Sequence, residues 1–134
     1  MNTATMKIEP APRRIGAWTL QVVVALVFFA AGSAKLAGLP YMVQLFSQIG
    51  IGQWFRIVTG LVEVSGAIAL VYPRLASLGG LWLATTMFVA TLTHLFVLHT
   101  TPIPAIVLGL LSLVIVYLRR DQLVSIGRSI AGGA

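Results

Sequence analysis

The chain has no cysteine and very little charge. Only 9% of its 134 residues are charged, whereas 58% are hydrophobic, and the mean hydropathy is +0.97. A soluble domain carries about a quarter of its residues as charged side chains, and disordered chains and coiled coils also need more charge than this. Without cysteine, the chain alone cannot relay electrons through thiols or hold a metal with thiolates. The composition therefore predicts an integral membrane protein.

The charge that is present is mostly positive. Nine Lys and Arg stand against three Asp and Glu, which gives a net charge of +6. The basic residues lie at the ends of apolar runs, and none of them form a cluster interleaved with aromatic residues. This pattern is typical of membrane topology signals and not of phosphate contacts, so we expect no nucleic-acid partner.

Four apolar runs are long enough, or nearly long enough, to cross a bilayer, which takes about twenty helical residues. The runs cover residues 15–34, 57–72, 75–98 and 103–118. They predict an all-α fold, an integral membrane four-helix bundle over residues 15–120. Residues 1–14 contain two prolines and residues 121–134 are rich in Gly and Ser. We expect these segments to be a flexible cytoplasmic head and a flexible cytoplasmic tail.

The distribution of basic residues predicts the orientation. With both chain ends inside, seven of the nine lie on the cytoplasmic side: Lys7, Arg13, Arg14, Arg74, Arg119, Arg120 and Arg128. Only Lys35 and Arg56 then lie outside. Because Lys and Arg in short loops favour the cytoplasm, the sequence predicts a multi-pass protein with N-in and C-in topology.

The loop over residues 36–55 contains a candidate helix. Pro40 is suited to start it, and Gly50 and Gly52 are suited to end it. Apolar side chains would share one side: Tyr41, Met42, Leu45, Phe46 and Ile49. This spacing predicts a short amphipathic helix in the outer interface, between the first two spans. Its function is either that of a lid or lateral gate over the bundle, or that of an ordinary connector.

Three ionisable residues fall within or at the end of the spans, where each costs at least a few kcal/mol. Lys35 ends the first span at the outer face. Glu63 lies about 9 Å from the outer start of the second span, and His94 lies about 6 Å from the outer end of the third. All three are expected in the outer half of the bilayer, at heights that allow them to meet.

Small and polar neighbours at helical spacing mark the inward faces, because small residues let helices approach in lipid. Gln21 shares such a stripe with Lys35, and Thr91 shares one with His94. One interpretation is a purely structural Lys35–Glu63 pair. Another is a pocket in which Glu63 and His94 are catalytic, handling protons for a quinone-like head group. A third is that these residues never meet. The predicted ligand-binding residues of the pocket are Lys35, Glu63, His94, Gln21 and Thr91. No metal site is predicted, because His94 and His99 point away from each other at a spacing of five.

Four stretches resemble the DoxX-like family of small four-span bacterial membrane proteins. They are Phe-Ala-Ala-Gly-Ser-Ala-Lys-Leu-Ala-Gly at residues 29–38, Gly-Leu-Val-Glu-Val-Ser-Gly-Ala at 60–67, residues 87–94, and Tyr-Leu-Arg-Arg at 117–120. The resemblance implies a bundle in the bacterial inner (cytoplasmic) membrane. The family takes its name from a subunit of a thiosulfate:quinone oxidoreductase. The resemblance therefore implies an oxidoreductase subunit with a membrane quinone as its possible cofactor.

The leading hypothesis is a membrane subunit of an oxidoreductase system that binds a lipophilic, quinone-type small molecule in the outer half of the bundle. Without cysteine, electrons would come from a protein redox partner or pass through the bound quinone. The alternatives are a small proton-coupled exporter and a non-catalytic membrane scaffold or assembly subunit. Partners besides membrane lipid include a second copy of the chain. A pocket of about 300–1,000 Å³ is hard to enclose within four helices, which favours a homo-oligomer.

Overall fold

The computed structural model describes residues 10–133, and all regular structure within them is helical. In this part of the chain six α-helices follow one another: α1 (Ala11–Ala37), α2 (Pro40–Ile49), α3 (Gln53–Val71), α4 (Ala76–Thr93), α5 (Ile103–Leu118) and α6 (Arg120–Gly132). A π-helical turn, His94–Leu98, continues α4. The predicted all-α class is confirmed. We call the end of the molecule near α2 the α2 end, and the opposite end, near α6, the α6 end.

Among the described residues, three helices are long and apolar enough to cross a membrane: α1, α3, and α4 with its π-helical turn. The pair α5 and α6, bent by 64° between them, would supply a fourth span if it is counted as one. Large apolar side chains on these helices face outward, among them Leu26, Phe88 and Leu110. A surface of this kind is suited to contact lipid, and the chain is a membrane protein.

The long helices pack in a closed order. α1 lies along α3, α3 contacts α4, α4 lies along α5, and α5 returns to α1. Fully buried apolar side chains from all four fill the space between them, including Phe28, Leu70, Leu83 and Ile115. The buried side chains of α1 recur at the spacing of the predicted stripe, from Gln21 through Phe28 to Lys35.

Glycines bring the helix backbones together at defined levels. A Cβ atom added to Gly32 on α1 would lie 2.9 Å from the carbonyl oxygen of Gly60 on α3. On the α6 side of that contact, a Cβ atom on Gly66 would lie 2.6 Å from Leu83, and one on Gly79 would meet the backbone of α3. These positions admit no side chain, so α3 and α4 are in close contact toward the α6 end.

The helix predicted within the loop is confirmed as α2. Pro40 is in its first turn, where its missing N–H costs nothing, and Gly50 follows its last residue. Gly38, with φ of 69°, ends α1 in the left-handed region that favours glycine. Phe46 is buried, and its ring lies 5.7 Å from that of Phe55 on α3. This packing fixes α2 across the end of the longer helices.

Parts of the two chain ends are helical. α1 begins at Ala11, because Pro12 is tolerated in a first helical turn. Residues 120–132 are helical, since Leu123, Ile126 and Ile130 recur at helical spacing and outweigh the Gly and Ser content. The flexibility of head and tail stays a prediction, and residues 1–9, including Lys7, lie outside the described residues.

Candidate functional site

A cavity of about 910 Å³ lies between α3 and α4 and reaches α2. The apolar side of α2 forms one wall, with the five side chains expected to share a side: Tyr41, Met42, Leu45, Phe46 and Ile49. α1 contributes Phe28, Ala31 and Lys35, and α5 contributes a short stretch beginning at Pro104. The cavity is open on one side, and the homo-oligomer stays a prediction.

Lys35 and Glu63 form a buried ion pair in the wall of this cavity. Lys35 Nζ donates to Glu63 Oε2 at 2.8 Å, and the two side chains are 11% and 4% exposed. Within residues 10–133 this is the one side-chain hydrogen bond that either residue makes. The ammonium group therefore keeps two N–H donors, and the carboxylate keeps one oxygen, for other partners.

Arg56 holds the end of α1 that carries Lys35. Its Nη1 donates to the backbone carbonyl of Lys35, and its Nε donates to Gln53 Oε1 at 2.7 Å. Gln53 Nε2 donates in turn to the carbonyl of Val43 at 3.0 Å and to Ser47 Oγ at 3.1 Å, both on α2. One network thus fixes α1, α2 and the start of α3 relative to one another. The sequence indicates only a topology signal for Arg56.

His94 lines the same cavity from the start of the π-helical turn. The chain reverses at His99, which has φ of 51°, and brings Thr100 back against His94. Nδ1 of His94 lies 2.7 Å from Thr100 Oγ1, and the Thr100 N–H donates to the His94 carbonyl at 2.9 Å. Among the described residues no hydrogen bond joins His94 to Lys35 or Glu63. Its second ring nitrogen is left for another partner.

Most other polar side chains in the cavity wall already donate hydrogen bonds to backbone carbonyls. Thr85, Thr86 and Thr93 each donate to the carbonyl one turn earlier at 2.9 Å, and Thr59 does so at 2.7 Å. Trp82 Nε1 donates across to the carbonyl of Val62 on α3 at 3.2 Å. These side chains present methyl groups and ring surface to the cavity and bring no unpaired N–H or O–H donor.

The hydrogen-bond donors that are available to a ligand are therefore confined to one part of the cavity wall. In the part of the chain that the structure describes, they are Lys35, His94 and the hydroxyl of Tyr41 on α2. All three lie toward the α2 end. The cavity combines a polar region, containing one buried acid, with a long apolar remainder, which is the form of a site for an amphipathic molecule.

The structure places two of the predicted ligand-binding residues away from this cavity. Gln21 lies about 21 Å from Lys35 along α1, where its Nε2 donates to the carbonyl of Leu70 at 2.6 Å and its Oε1 accepts from Arg119 Nε at 2.7 Å. Thr91 donates to the carbonyl of Met87 at 2.8 Å and does not line the cavity. Gln21 lies on the same helix face as Lys35, and Thr91 lies on the same face as His94, but neither lines the cavity.

We predict that Gln21 stabilises the fold without contributing to ligand binding. Replacing Gln21 with leucine removes two hydrogen bonds and leaves the Leu70 carbonyl buried, so the free energy of unfolding should fall by about 1–2 kcal/mol. Thr19→Val on the same helix removes only a local, exposed hydrogen bond and should change stability by less than about 0.5 kcal/mol. Unfolding in lipid nanodiscs measures both changes. A stable Gln21→Leu variant that loses its bound ligand would contradict this prediction.

Comparison with known proteins identifies relatives. The model of the DoxX-like family matches residues 19–117. A Bacillus subtilis strain 168 protein named "Putative oxidoreductase CatD" is 27% identical over 79 residues, which cover 59% of each chain. "Uncharacterized protein YdgD" of the same strain is 30% identical over 91 residues, covering 65% of this chain and 80% of its own. The match thus spans about three fifths of CatD. No solved structure matches the chain.

Proposed function

We propose, from the premise that this chain belongs to the DoxX-like family, that it is a membrane subunit of an oxidoreductase system and binds a quinone. The observation that carries the proposal is the Lys35–Glu63 pair, buried in the wall of a largely apolar cavity of about 910 Å³. Ionisable residues inside membrane spans are costly and mark functional sites by default. A lipophilic ligand with a polar head group matches both parts of this cavity.

The available polar groups suit the carbonyl oxygens of a quinone ring. Lys35 keeps two N–H donors, and His94 presents a ring nitrogen that is a donor in one tautomer. Reduction of a quinone to a quinol takes up two electrons and two protons. In this proposal Lys35 and His94 hydrogen-bond the ring oxygens, Glu63 delivers one of the two protons, and His94 delivers the other. His94 is oriented for this by its two hydrogen bonds with Thr100.

The electrons come from outside the chain in this proposal. The chain has no cysteine, so a redox partner protein supplies the electron pair to the bound quinone or accepts it from the quinol. The name of the CatD relative supports a role in an oxidoreductase system. The partner protein is proposed because the electron pair needs a donor or acceptor outside the chain.

The proposed arrangement in the membrane is a four-helix bundle built from α1, α3, α4 and α5, with both chain ends in the cytoplasm of a bacterial cell. Seven of the nine basic residues then face the cytoplasm, which supports this orientation in the inner membrane. α5 has 16 residues and is completed by Arg119, whose long side chain can reach the interface. α2 then lies at the outer surface and closes the cavity as a lid.

The proposal is tested by identifying what co-purifies with the protein. Wild-type protein in native lipid nanodiscs should contain a near-stoichiometric quinone in its organic extract, determined by mass spectrometry. Glu63→Gln should lose at least about nine tenths of it, because an amide cannot replace a carboxylate as a proton carrier or as the counter-ion of Lys35. Gln21→Leu is the control, since it is also a buried substitution but lies outside the cavity, and it should retain the quinone.

Other outcomes would indicate the alternative functions. No specific lipophile in the wild type, together with a large loss of stability in Glu63→Gln, would reject the quinone and favour a scaffold. A bound lipophile of another class, whose binding releases a proton only when Glu63 is present, would favour a proton-coupled exporter.

A further inference from the structure

The cavity wall contributed by α4 is much longer than that contributed by α3. Its cavity-lining residues run from Leu78 to Leu98, about 30 Å along the helix axis, which is the thickness of the hydrocarbon core of a bilayer. On α3 the lining residues run only from Phe55 to Glu63. Toward the α6 end, the cavity is therefore bounded by α4 without a facing wall from α3.

The close contact of α3 and α4 shows which residues of α4 lie at the same height as the Lys35–Glu63 ion pair. Gly66 packs against Leu83, and the two helices run in opposite directions. Glu63, about one turn from Gly66 toward the α2 end, thus lies at the level of Thr86. The α4 residues that line the cavity beyond that level form a groove about 10 Å long, which we call the α4 groove: Leu78, Leu81, Trp82 and Thr85.

The α4 groove opens on the outer surface of the protein. Leu78 is 39% exposed, Leu81 is 45% exposed and Trp82 is 54% exposed. The Thr85 hydroxyl and the Trp82 ring N–H are both bonded to backbone carbonyls. The groove thus offers no unpaired donor and suits a hydrocarbon chain. It continues directly from the polar region at Lys35 and Glu63.

We propose that the α4 groove holds the hydrocarbon chain of the ligand and that the site opens sideways to the lipid along the exposed side of α4. The ligand is then a prenylated quinone whose head group moves from the bilayer to Lys35 and Glu63 while its chain stays in the apolar phase. This inference rests on the proposed function. It adds the class of chain, its position and the side from which the ligand enters.

The groove can be blocked without touching the polar region. Thr85→Trp adds bulk where the chain would leave the head group, and Leu81→Trp does so further along. Leu92→Trp is the control, because Leu92 is 39% exposed on the same helix and lies outside the cavity. Two benzoquinones with identical rings serve as probes, one with no isoprene unit and one with four. Their dissociation constants are measured in nanodiscs, as mole fractions in the lipid.

We expect both blocking variants to bind the unprenylated quinone as the wild type does, and to bind the prenylated quinone at least about tenfold more weakly. Leu92→Trp should bind both probes normally. If a folded blocking variant bound the two probes equally well, the proposal that the α4 groove holds the hydrocarbon chain would be wrong. If the wild type bound neither probe, the proposed function itself would fail. If Thr85→Trp does not fold, Leu81→Trp provides the same comparison.

Discussion

Replacing Lys35 with methionine is expected to lower the free energy of unfolding by about 3–5 kcal/mol, the cost of removing one partner from a buried ion pair. Glu63 would be left with a charge, a 4% exposed side chain and no cation to accept from. A methionine side chain has almost the length of lysine, so the loss of packing is small. The change can be measured by denaturant unfolding in nanodiscs or mixed micelles.

The double variant Lys35→Met, Glu63→Gln separates a structural pair from a functional one. It buries no charge at this position. Replacing a buried ion pair with uncharged side chains often leaves stability unchanged or even raises it. We therefore expect it to recover most of the stability lost in Lys35→Met. We also expect it to bind quinone at least about tenfold more weakly, because Lys35 no longer donates to a ring oxygen. A stable double variant that still binds quinone normally would show that the pair only joins α1 to α3.

Replacing Gly32 with alanine is expected to cost about 3 kcal/mol, at the upper end of what overpacking costs in a core. The added Cβ would lie 2.8 Å from Val64 Cγ2, 2.9 Å from the Gly60 carbonyl oxygen and 3.1 Å from Glu63 Cβ. Two of these atoms belong to the backbone or to a Cβ and cannot rotate away, so α1 and α3 must separate. Lys35 lies one turn further along α1, and the separation should also weaken quinone binding.

The matched control for this substitution is Gly16→Ala on the same helix. A Cβ added there has no neighbour within 4 Å, so only the backbone effect remains, which favours alanine by about 0.5–1 kcal/mol. Thermal unfolding of both variants, followed by helical circular dichroism, gives the comparison. Equal stability of the two variants would mean that α1 and α3 have more freedom to adjust than their glycine contacts indicate.

Periodicity and depth were sufficient to predict much of the fold and the centre of the site. The fourth apolar run has the same bounds as α5, and Pro40 and Gly50 delimit α2. The Lys35–Glu63 contact followed from two residues at similar heights on inward faces. Such reasoning works because a membrane span has a fixed rise per residue and a known thickness.

Other parts of the site depend on tertiary contacts that spacing does not determine. Gln21 lies on the same buried stripe as Lys35, but its partners come from α3 and from Arg119, ninety-eight residues along the chain. The interaction of Arg56 with the end of α1 requires the return of the chain through α2. The position of His94 depends on the π-helical turn and the reversal at His99. These features have no periodic signal in the sequence.

The close glycine contacts toward the α6 end have a consequence for the direction of proton movement. Gly66 and Gly79 leave no space between α3 and α4 on that side, whereas the polar groups of the cavity lie toward the α2 end. In the proposed arrangement we therefore expect water to reach Glu63 from the α2 end. With the proposed topology, a quinone reduced here takes its protons from outside the cell, and a quinol oxidised here releases them there. The same reaction would thus build or dissipate a proton gradient according to its direction.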